Sequence, residues 1–124
     1  MSEIVGVGVD LCEVARMRQT VARTPGFVRR VFTQDEQDYS MRARDPAERL
    51  AARFAAKEAV LKALGAGIGS SPLRDVEVVR APSGQPSVAL HGRAAELAAE
   101  KGVTEWRLTL THTDRVAQAI AVAL

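Results

Sequence analysis

One long helical segment limits the architectures open to this chain more than any other feature. Pro46 suits the first turn of a helix, and the residues that follow, up to about Leu64, contain neither glycine nor a second proline. The glycine-rich segment Gly65-Ala-Gly-Ile-Gly69 then ends the helix in a flexible loop. Because the chain has 124 residues, we expect one domain, residues 1–124, built around this helix.

Short strands and helices are predicted on both sides of the long helix. Residues 33–36, Thr-Gln-Asp-Glu, have the capping-box pattern that opens a helix. The predicted elements are strands at 4–9, 76–79, 87–90, 106–113 and 116–124, and helices at 11–23, from 33 onward and at 92–101. The sequence therefore predicts an α+β fold in which a small antiparallel sheet packs against the long helix.

The last predicted strand alternates between two kinds of side chain. Val116, Gln118, Ile120 and Val122 share one face, and alanines occupy the other. Two interpretations of the alanine face stay open. It either lets a helix pack closely or forms a flat contact between subunits.

Composition excludes several classes of protein. The chain is 47% hydrophobic and 26% charged, and no apolar run of about 18 residues predicts a membrane-spanning helix. No signal-peptide pattern is present, and the single cysteine, Cys12, allows no internal disulfide, so we expect a cytoplasmic protein. The net charge of +2 permits an anionic ligand or an acidic partner, whereas an aromatic content of 4% disfavours base stacking on nucleic acid.

The first strand carries a carboxylate beside two glycines. Side chains alternate along a strand, so Gly6, Gly8 and Asp10 share one face. This face would form a hollow for a bulky ligand or a metal. In the alternative interpretation, the glycines let a helix lie close and Asp10 caps the next helix, with Glu13 three residues later.

The long helix carries charge next to its apolar stripe. Lys57 falls within the stripe itself, which also contains Leu50, Phe54, Leu61 and Leu64, so its ammonium must reach solvent or find an anionic partner. Glu58 and Lys62 lie along one edge of the stripe, and Arg53 lies along the other. These four residues could border one cleft, or they could form a solvated, salt-bridged face.

Two further groups are candidates for binding. His112 lies near the end of a predicted strand, where a lone histidine is more often part of the core, although the hydroxyls of Thr111 and Thr113 beside it could hold phosphate. Exposed arginines, among them Arg16, Arg23 and Arg30, suit an acidic protein surface or serve solubility alone.

Taken together, these segments resemble a known family. Gly6-Val-Gly-Val-Asp10 and Arg53-Phe-Ala-Ala-Lys-Glu-Ala-Val-Leu-Lys62 are similar to the two signature motifs of the phosphopantetheinyl transferases. Gly65-Ala-Gly-Ile-Gly69 and Thr111-His-Thr113 are similar to motifs of the short bacterial branch, the holo-acyl-carrier-protein synthases. The resemblance runs in order along nearly the whole chain.

The resemblance implies roles for individual residues. Asp10 and Glu58 would bind Mg²⁺, which prefers one or two carboxylates together with phosphate oxygens and water. The diphosphate of coenzyme A would supply those oxygens. Lys62 and Arg53 would contact the phosphates of coenzyme A, as would Lys57 if it reaches the cleft. His112 and Thr113 would contact its nucleotide end, and the loop from Gly65 to Ile68 its adenosine.

The resemblance also implies a reaction and its partners. A serine of an acidic acyl carrier protein would attack coenzyme A, take its 4′-phosphopantetheine and release adenosine 3′,5′-bisphosphate, in support of fatty-acid or polyketide synthesis. Either Glu58 or a metal-bound water would accept the serine proton, with Lys62 also catalytic. The expected assembly is a homotrimer with sites between subunits, and Arg16, Arg23 and Arg30 would dock the carrier.

Two other functions compete with this interpretation. A non-enzymatic nucleotide- or carrier-binding module on the same fold would have an incomplete metal site, whereas both carboxylates and Lys62 are present. A small basic nucleic-acid-binding protein is disfavoured by the single tryptophan and the lack of a recognisable nucleic-acid motif.

Overall fold

The computed structural model describes residues 3–124, which form an α+β fold, as the sequence predicts. In chain order the elements are β1 (Gly6–Glu13), α1 (Val14–Arg23), α2 (Phe27–Val31), α3 (Gln34–Met41), α4 (Pro46–Ala63), a 3₁₀ turn (Leu73–Asp75), β2 (Val76–Arg80), β3 (Pro86–Leu90), α5 (Gly92–Glu100), β4 (Trp106–His112) and β5 (Val116–Ala123). The predicted long helix is therefore confirmed, with Asp45 as its N-cap and Pro46 in its first turn.

The strands form two antiparallel sheets. In the larger one the order is β1-β5-β4, so the first strand pairs with the last, and Gly6 lies opposite Ala123. Each sheet contains a hairpin: β4 pairs with β5 in the larger sheet, and β2 pairs with β3 in the smaller one. Helix α4 crosses the face of the larger sheet.

Glycine and alanine let α4 lie close to this sheet. A Cβ atom on Gly8 would lie 1.9 Å from the carbonyl oxygen of Ala59, and one on Gly6 would lie 1.8 Å from that of Ala63. The alternate alanines of β5, from Ala117 to Ala123, are buried on the same side. The alanine face therefore receives the helix, and the alternative in which it forms a subunit contact is wrong.

The start of the second element differs from the prediction. Strand β1 continues to Glu13, so α1 begins at Val14 rather than at Leu11, and the capping role considered for Asp10 is wrong. Pairing explains the difference, because Leu11, Cys12 and Glu13 all continue the ladder with β5. The sequence also gave no prediction of the short helix α2 or of the 3₁₀ turn.

An apolar, exposed stripe runs along the outer face of β1 to Ile120 of β5, whereas β4 presents Arg107, Thr109 and Thr111 on that face. We call it the outer stripe, and it consists of Val5, Val7, Val9, Leu11 and Ile120. Val7 is 59% exposed and Leu11 is 61% exposed, although both side chains belong to the larger sheet. Among residues 3–124, no helix is long and apolar enough to cross a membrane.

Candidate active site

The close packing of β1 on α4 brings two carboxylates and an ammonium together. Asp10 follows Gly8 on the helix-facing side of β1, and Glu58 and Lys62 lie one turn apart on α4. Lys62 Nζ donates to Asp10 Oδ1 at 2.9 Å and to the carbonyl oxygen of Val9 at 3.1 Å. The structure therefore brings these three residues together, although Asp10 and Lys62 are 52 positions apart in the sequence.

Electrostatics also couple the two carboxylates. Partial burial raises the pKa of Glu58, the neighbouring charge of Asp10 raises it further, and Lys62 opposes both effects. A carboxylate pair with only one ammonium nearby repels itself at neutral pH. A cation placed between the two carboxylates would remove that repulsion.

Asp10, Glu58 and Lys62 line one cavity, the carboxylate cavity, of about 270 Å³. Its remaining wall comes from Phe54 and Leu61 of α4 and from the loop residues Ala66, Gly67 and Ile68. Within residues 3–124, no three His, Cys, Asp or Glu side chains cluster as a metal site. The donor set nevertheless fits Mg²⁺, which takes one or two carboxylates and completes its shell with phosphate oxygens and water.

The glycine-rich loop follows α4 directly. Gly65 has a φ of 68°, in the left-handed region that glycine adopts without strain, and thereby turns the chain out of the helix. Ile68 is 96% exposed although it borders the carboxylate cavity. Its side chain is free to contact a ligand there.

Lys57 does not reach this cavity, contrary to its predicted contact with coenzyme A phosphates. Its side chain has no exposed surface, and Nζ donates to Glu36 Oε1 at 2.7 Å and to the carbonyl oxygens of Leu73 and Val76. Of the two alternatives for a lysine within the apolar stripe, the anionic partner is the one found. The expectation that all four charged α4 residues border one cleft is therefore wrong.

Arg53 lies in a second cavity, which we call the arginine groove. This groove has a volume of about 740 Å³ and shares no lining residue with the carboxylate cavity. Arg53 is 4% exposed, and its guanidinium carbon lies 4.1 Å from the centre of the Tyr39 ring. Burial lowers its pKa, and its Nε atom has no hydrogen-bond partner in the structure.

His112 also lines the arginine groove. Its Nδ1 lies 3.6 Å from Glu48 Oε2, and the ring is exposed rather than part of the core. The hydroxyl of Thr113 accepts hydrogen bonds from the backbone N–H groups of Arg115 and Val116. Thr113 thus stabilises the turn that presents His112 at the strand end.

A third cavity, which we call the α1 groove, contains one of the predicted docking residues. It measures about 520 Å³, and Arg16, Met17, Phe27 and Phe54 contribute to its lining. Phe54 lines this groove and the carboxylate cavity, so the two are neighbours. The other predicted docking residues, Arg23 and Arg30, are exposed on α1 and α2 and do not line this groove.

Sequence reasoning missed part of the site. Tyr39, Arg49 and Arg80 all line the arginine groove, but none was singled out. Arg49 and Arg53 lie one turn apart on α4, which was a signal for an arginine-rich face. Nothing local in the sequence shows that Tyr39 on α3 or Arg80 on β2 would meet that face.

Comparison with known proteins identifies the class to which this fold and site belong. The family model of the 4′-phosphopantetheinyl transferase superfamily matches residues 6–121, and the chain belongs to this family. Within it, the chain is similar to proteins named holo-[acyl-carrier-protein] synthase. That of Frankia casuarinae is 48% identical over 97% of each chain, and that of Moorella thermoacetica is 44% identical over 93% of this chain and 90% of its own.

Solved structures give the same result. The holo-[acyl-carrier-protein] synthase of Helicobacter pylori, determined in complex with coenzyme A, superposes with a TM-score of 0.83 at 26% identity. The match covers 95% of this chain and 99% of the other. The family resemblance predicted from the two motifs is confirmed.

Proposed function

We propose that the chain is a holo-[acyl-carrier-protein] synthase. It transfers the 4′-phosphopantetheine of coenzyme A to a serine of an apo-acyl carrier protein and releases adenosine 3′,5′-bisphosphate. The observation that carries this proposal is the meeting of Asp10, Glu58 and Lys62 in one cavity. The names of the relatives and the coenzyme A bound to the Helicobacter pylori protein support the substrate.

Asp10 and Glu58 are the residues that would hold Mg²⁺. When bound there, the cation would neutralise charge on the diphosphate of coenzyme A. Lys62, already fixed by Asp10, offers its remaining N–H to the same phosphates. Its fixed position argues for a role in orienting the diphosphate as well as in binding it.

In the reaction, the serine oxygen of the carrier forms a bond to the phosphorus that bears the pantetheine arm. The bond from that phosphorus to the bridging oxygen breaks, and this oxygen leaves with adenosine 3′,5′-bisphosphate. We assign the serine proton to Glu58, because its carboxylate lines the cavity in which the serine must meet the diphosphate.

The nucleotide end of coenzyme A is assigned to Arg53 and His112. The arginine groove shares no lining residue with the carboxylate cavity. One molecule of coenzyme A would therefore contact both most simply if the groove of one subunit faced the carboxylate cavity of another. The exposed outer stripe supports an assembly of copies, since an apolar sheet face of this kind favours burial. We therefore propose a homotrimer in which each site combines two subunits.

The carrier protein is assigned to the α1 groove. Arg16 at this groove suits an acidic surface, and Phe54 connects the groove with the carboxylate cavity where the serine must arrive. Arg23 and Arg30 extend the basic surface beyond the groove. On this proposal the whole chain, residues 1–124, acts as one catalytic domain, and its free cysteine suits a reducing cytoplasm.

The first prediction tests the carboxylate cavity. Purified wild type, Asp10→Asn and Glu58→Gln are mixed with Mg²⁺, coenzyme A and an apo-acyl carrier protein, and mass spectrometry follows the phosphopantetheine added to the carrier. We expect both variants to lose at least about 100-fold in rate, because each removes a carboxylate from the cation site. Glu96→Gln, on the exposed face of α5, serves as the matched control.

Circular dichroism must show that both variants remain folded. Wild-type turnover in Asp10→Asn or Glu58→Gln would contradict the assignment of the cavity. Failure of the wild-type protein to modify any apo-carrier would contradict the proposed function itself.

A further inference from the structure

Four arginines surround one aromatic ring in the arginine groove. The guanidinium carbons lie at 4.0 Å (Arg49), 4.1 Å (Arg53), 4.5 Å (Arg80) and 5.7 Å (Arg42) from the centre of the Tyr39 ring. Arg49 is also fixed to the same residue, because it donates to the backbone carbonyl oxygen of Tyr39 at 2.7 Å. These arginines come from β2, α4 and the end of α3, so tertiary packing brings them together.

The guanidinium groups have no carboxylate partners of their own. In the part of the chain that the structure describes, none of the four forms a salt bridge. The charges of Arg80 and Arg49 contribute to the lowered pKa of Arg53, after burial as the main cause. This local excess of positive charge is a cost in the free protein.

The Tyr39 ring explains how this cost is tolerated. The negative face of an aromatic ring attracts a guanidinium group by about 0.5–2 kcal/mol without neutralising its charge. An aspartate in the same place would hold the arginines but would cancel their attraction for an anion. A tyrosine holds them and leaves their N–H groups and their charge available to the groove.

A second observation points to an anionic ligand. Arg53 is nine-tenths buried, yet its Nε has no hydrogen-bond partner, and the side chain borders the open groove. Buried donors are normally satisfied, so an unpartnered guanidinium donor beside a groove indicates a group that arrives from outside. A phosphate monoester, with two charges and several acceptor oxygens, matches a set of guanidinium donors.

We infer that Tyr39 is a positioning residue, whose ring holds the guanidinium groups of Arg49, Arg53 and Arg80 ready to bind a phosphate monoester. This inference rests on the proposed function, under which the monoester is the 3′-phosphate of coenzyme A. Tyr39 lines neither the carboxylate cavity nor the α1 groove, so we expect it to act through the arginines alone. It sets how strongly the enzyme distinguishes coenzyme A from a nucleotide that lacks this phosphate.

The second prediction tests this role by calorimetric binding of coenzyme A and of 3′-dephospho-coenzyme A. The compared proteins are the wild type, Tyr39→Phe and Tyr39→Leu. Phenylalanine keeps the aromatic face and leucine does not, so the pair isolates the ring. We expect Tyr39→Leu to reduce the preference for coenzyme A roughly tenfold while the affinity for the dephospho form stays the same, and Tyr39→Phe to keep the wild-type preference.

A merely structural role would give a different result. If Tyr39→Leu weakens both ligands equally, or keeps the wild-type preference, the inference is wrong. Arg80→Gln, which changes an exposed residue of β2, must also reduce the preference, and this variant keeps the test decisive if Tyr39→Leu does not fold. A wild type that transfers phosphopantetheine but binds both ligands equally would overturn this inference and leave the proposed function intact.

Discussion

A buried ion pair joins the two halves of the molecule at the scale of single residues. Lys57 and Glu36 have no exposed side-chain surface, and each makes further hydrogen bonds. The Glu36 carboxylate accepts from the backbone N–H groups of Thr33 at 2.8 Å and Val78 at 2.9 Å. The pair thereby ties α3 and β2 to α4 immediately beside Glu58, and it supports the orientation of the helix that carries the site.

The third prediction concerns this pair. Lys57→Met leaves a buried carboxylate without its cation, so we expect the free energy of unfolding to fall by about 3–5 kcal/mol. The double variant Lys57→Met/Glu36→Gln removes both charges and should be clearly more stable than the single variant. Urea denaturation of the three proteins measures the difference. Equal losses in the single and double variants would show that the charges do not act as a pair.

Individual residues also show which contacts could be predicted from the sequence and which could not. The helical stripe indicated that Lys57 needs solvent or an anionic partner, but it did not point to Glu36, which already had a local role in the capping box of α3. Asp10, Glu58 and Lys62 of the carboxylate cavity could be predicted, because each lies within one of the two motifs that carry the family resemblance. Tyr39 could not, because its contacts with arginines of α4 and β2 depend on tertiary packing alone.

At the scale of elements, the contact between β1 and α4 sets the geometry of the site. Two glycines of the strand bring its backbone against the carbonyl groups of the helix, and Asp10 is the next residue on the same face. Without that approach, the Asp10 carboxylate and the Lys62 ammonium would lie too far apart for their 2.9 Å hydrogen bond.

The fourth prediction follows from this contact. In Gly8→Ala the new Cβ would lie 1.9 Å from the carbonyl oxygen of Ala59, so strand and helix must separate. We expect a loss of roughly 3 kcal/mol in the free energy of unfolding, or failure to fold. Gly67→Ala is the matched control, because its Cβ would meet nothing within 4 Å, and we expect a change of no more than about 0.5 kcal/mol. Equal effects of the two substitutions would contradict the close contact.

Elements with a strong local signal were predicted well, whereas the end of β1, which depends on pairing with a distant strand, was not. The capping box at Thr33 and the proline Pro46 marked the starts of α3 and α4 correctly. The end of β1 was placed too early, because residues 11–13 are extended only through their backbone pairing with β5. A window of neighbouring residues contains no information about that partner.

For the whole molecule, the separation of the two cavities has a consequence for assembly. The carboxylate cavity and the arginine groove have no common lining residue, and the outer stripe leaves an apolar face for contact between copies. Suppose that each site takes its carboxylates from one subunit and His112 from the next. Two inactive variants with substitutions in different cavities should then regain activity when their subunits are mixed.

The fifth prediction uses this complementation. Asp10→Asn and His112→Glu should each be inactive, the first without a cation ligand and the second with a repelling charge in the arginine groove. After subunit exchange, an equal mixture should regain about a quarter of the wild-type rate, the fraction of random pairs in which both halves are intact. A mixture of Asp10→Asn with Glu58→Gln, which damage the same cavity, should stay inactive. Equal rates in both mixtures would contradict a shared site.

The order of strands in the larger sheet also governs how the protein is made. Because β1 lies at the sheet edge and, among residues 3–124, pairs with β5 alone, this strand must wait, unpaired, until β5 has been synthesised. Asp10 belongs to that waiting strand. The cavity that we propose as the active site therefore cannot form before β5 has been synthesised.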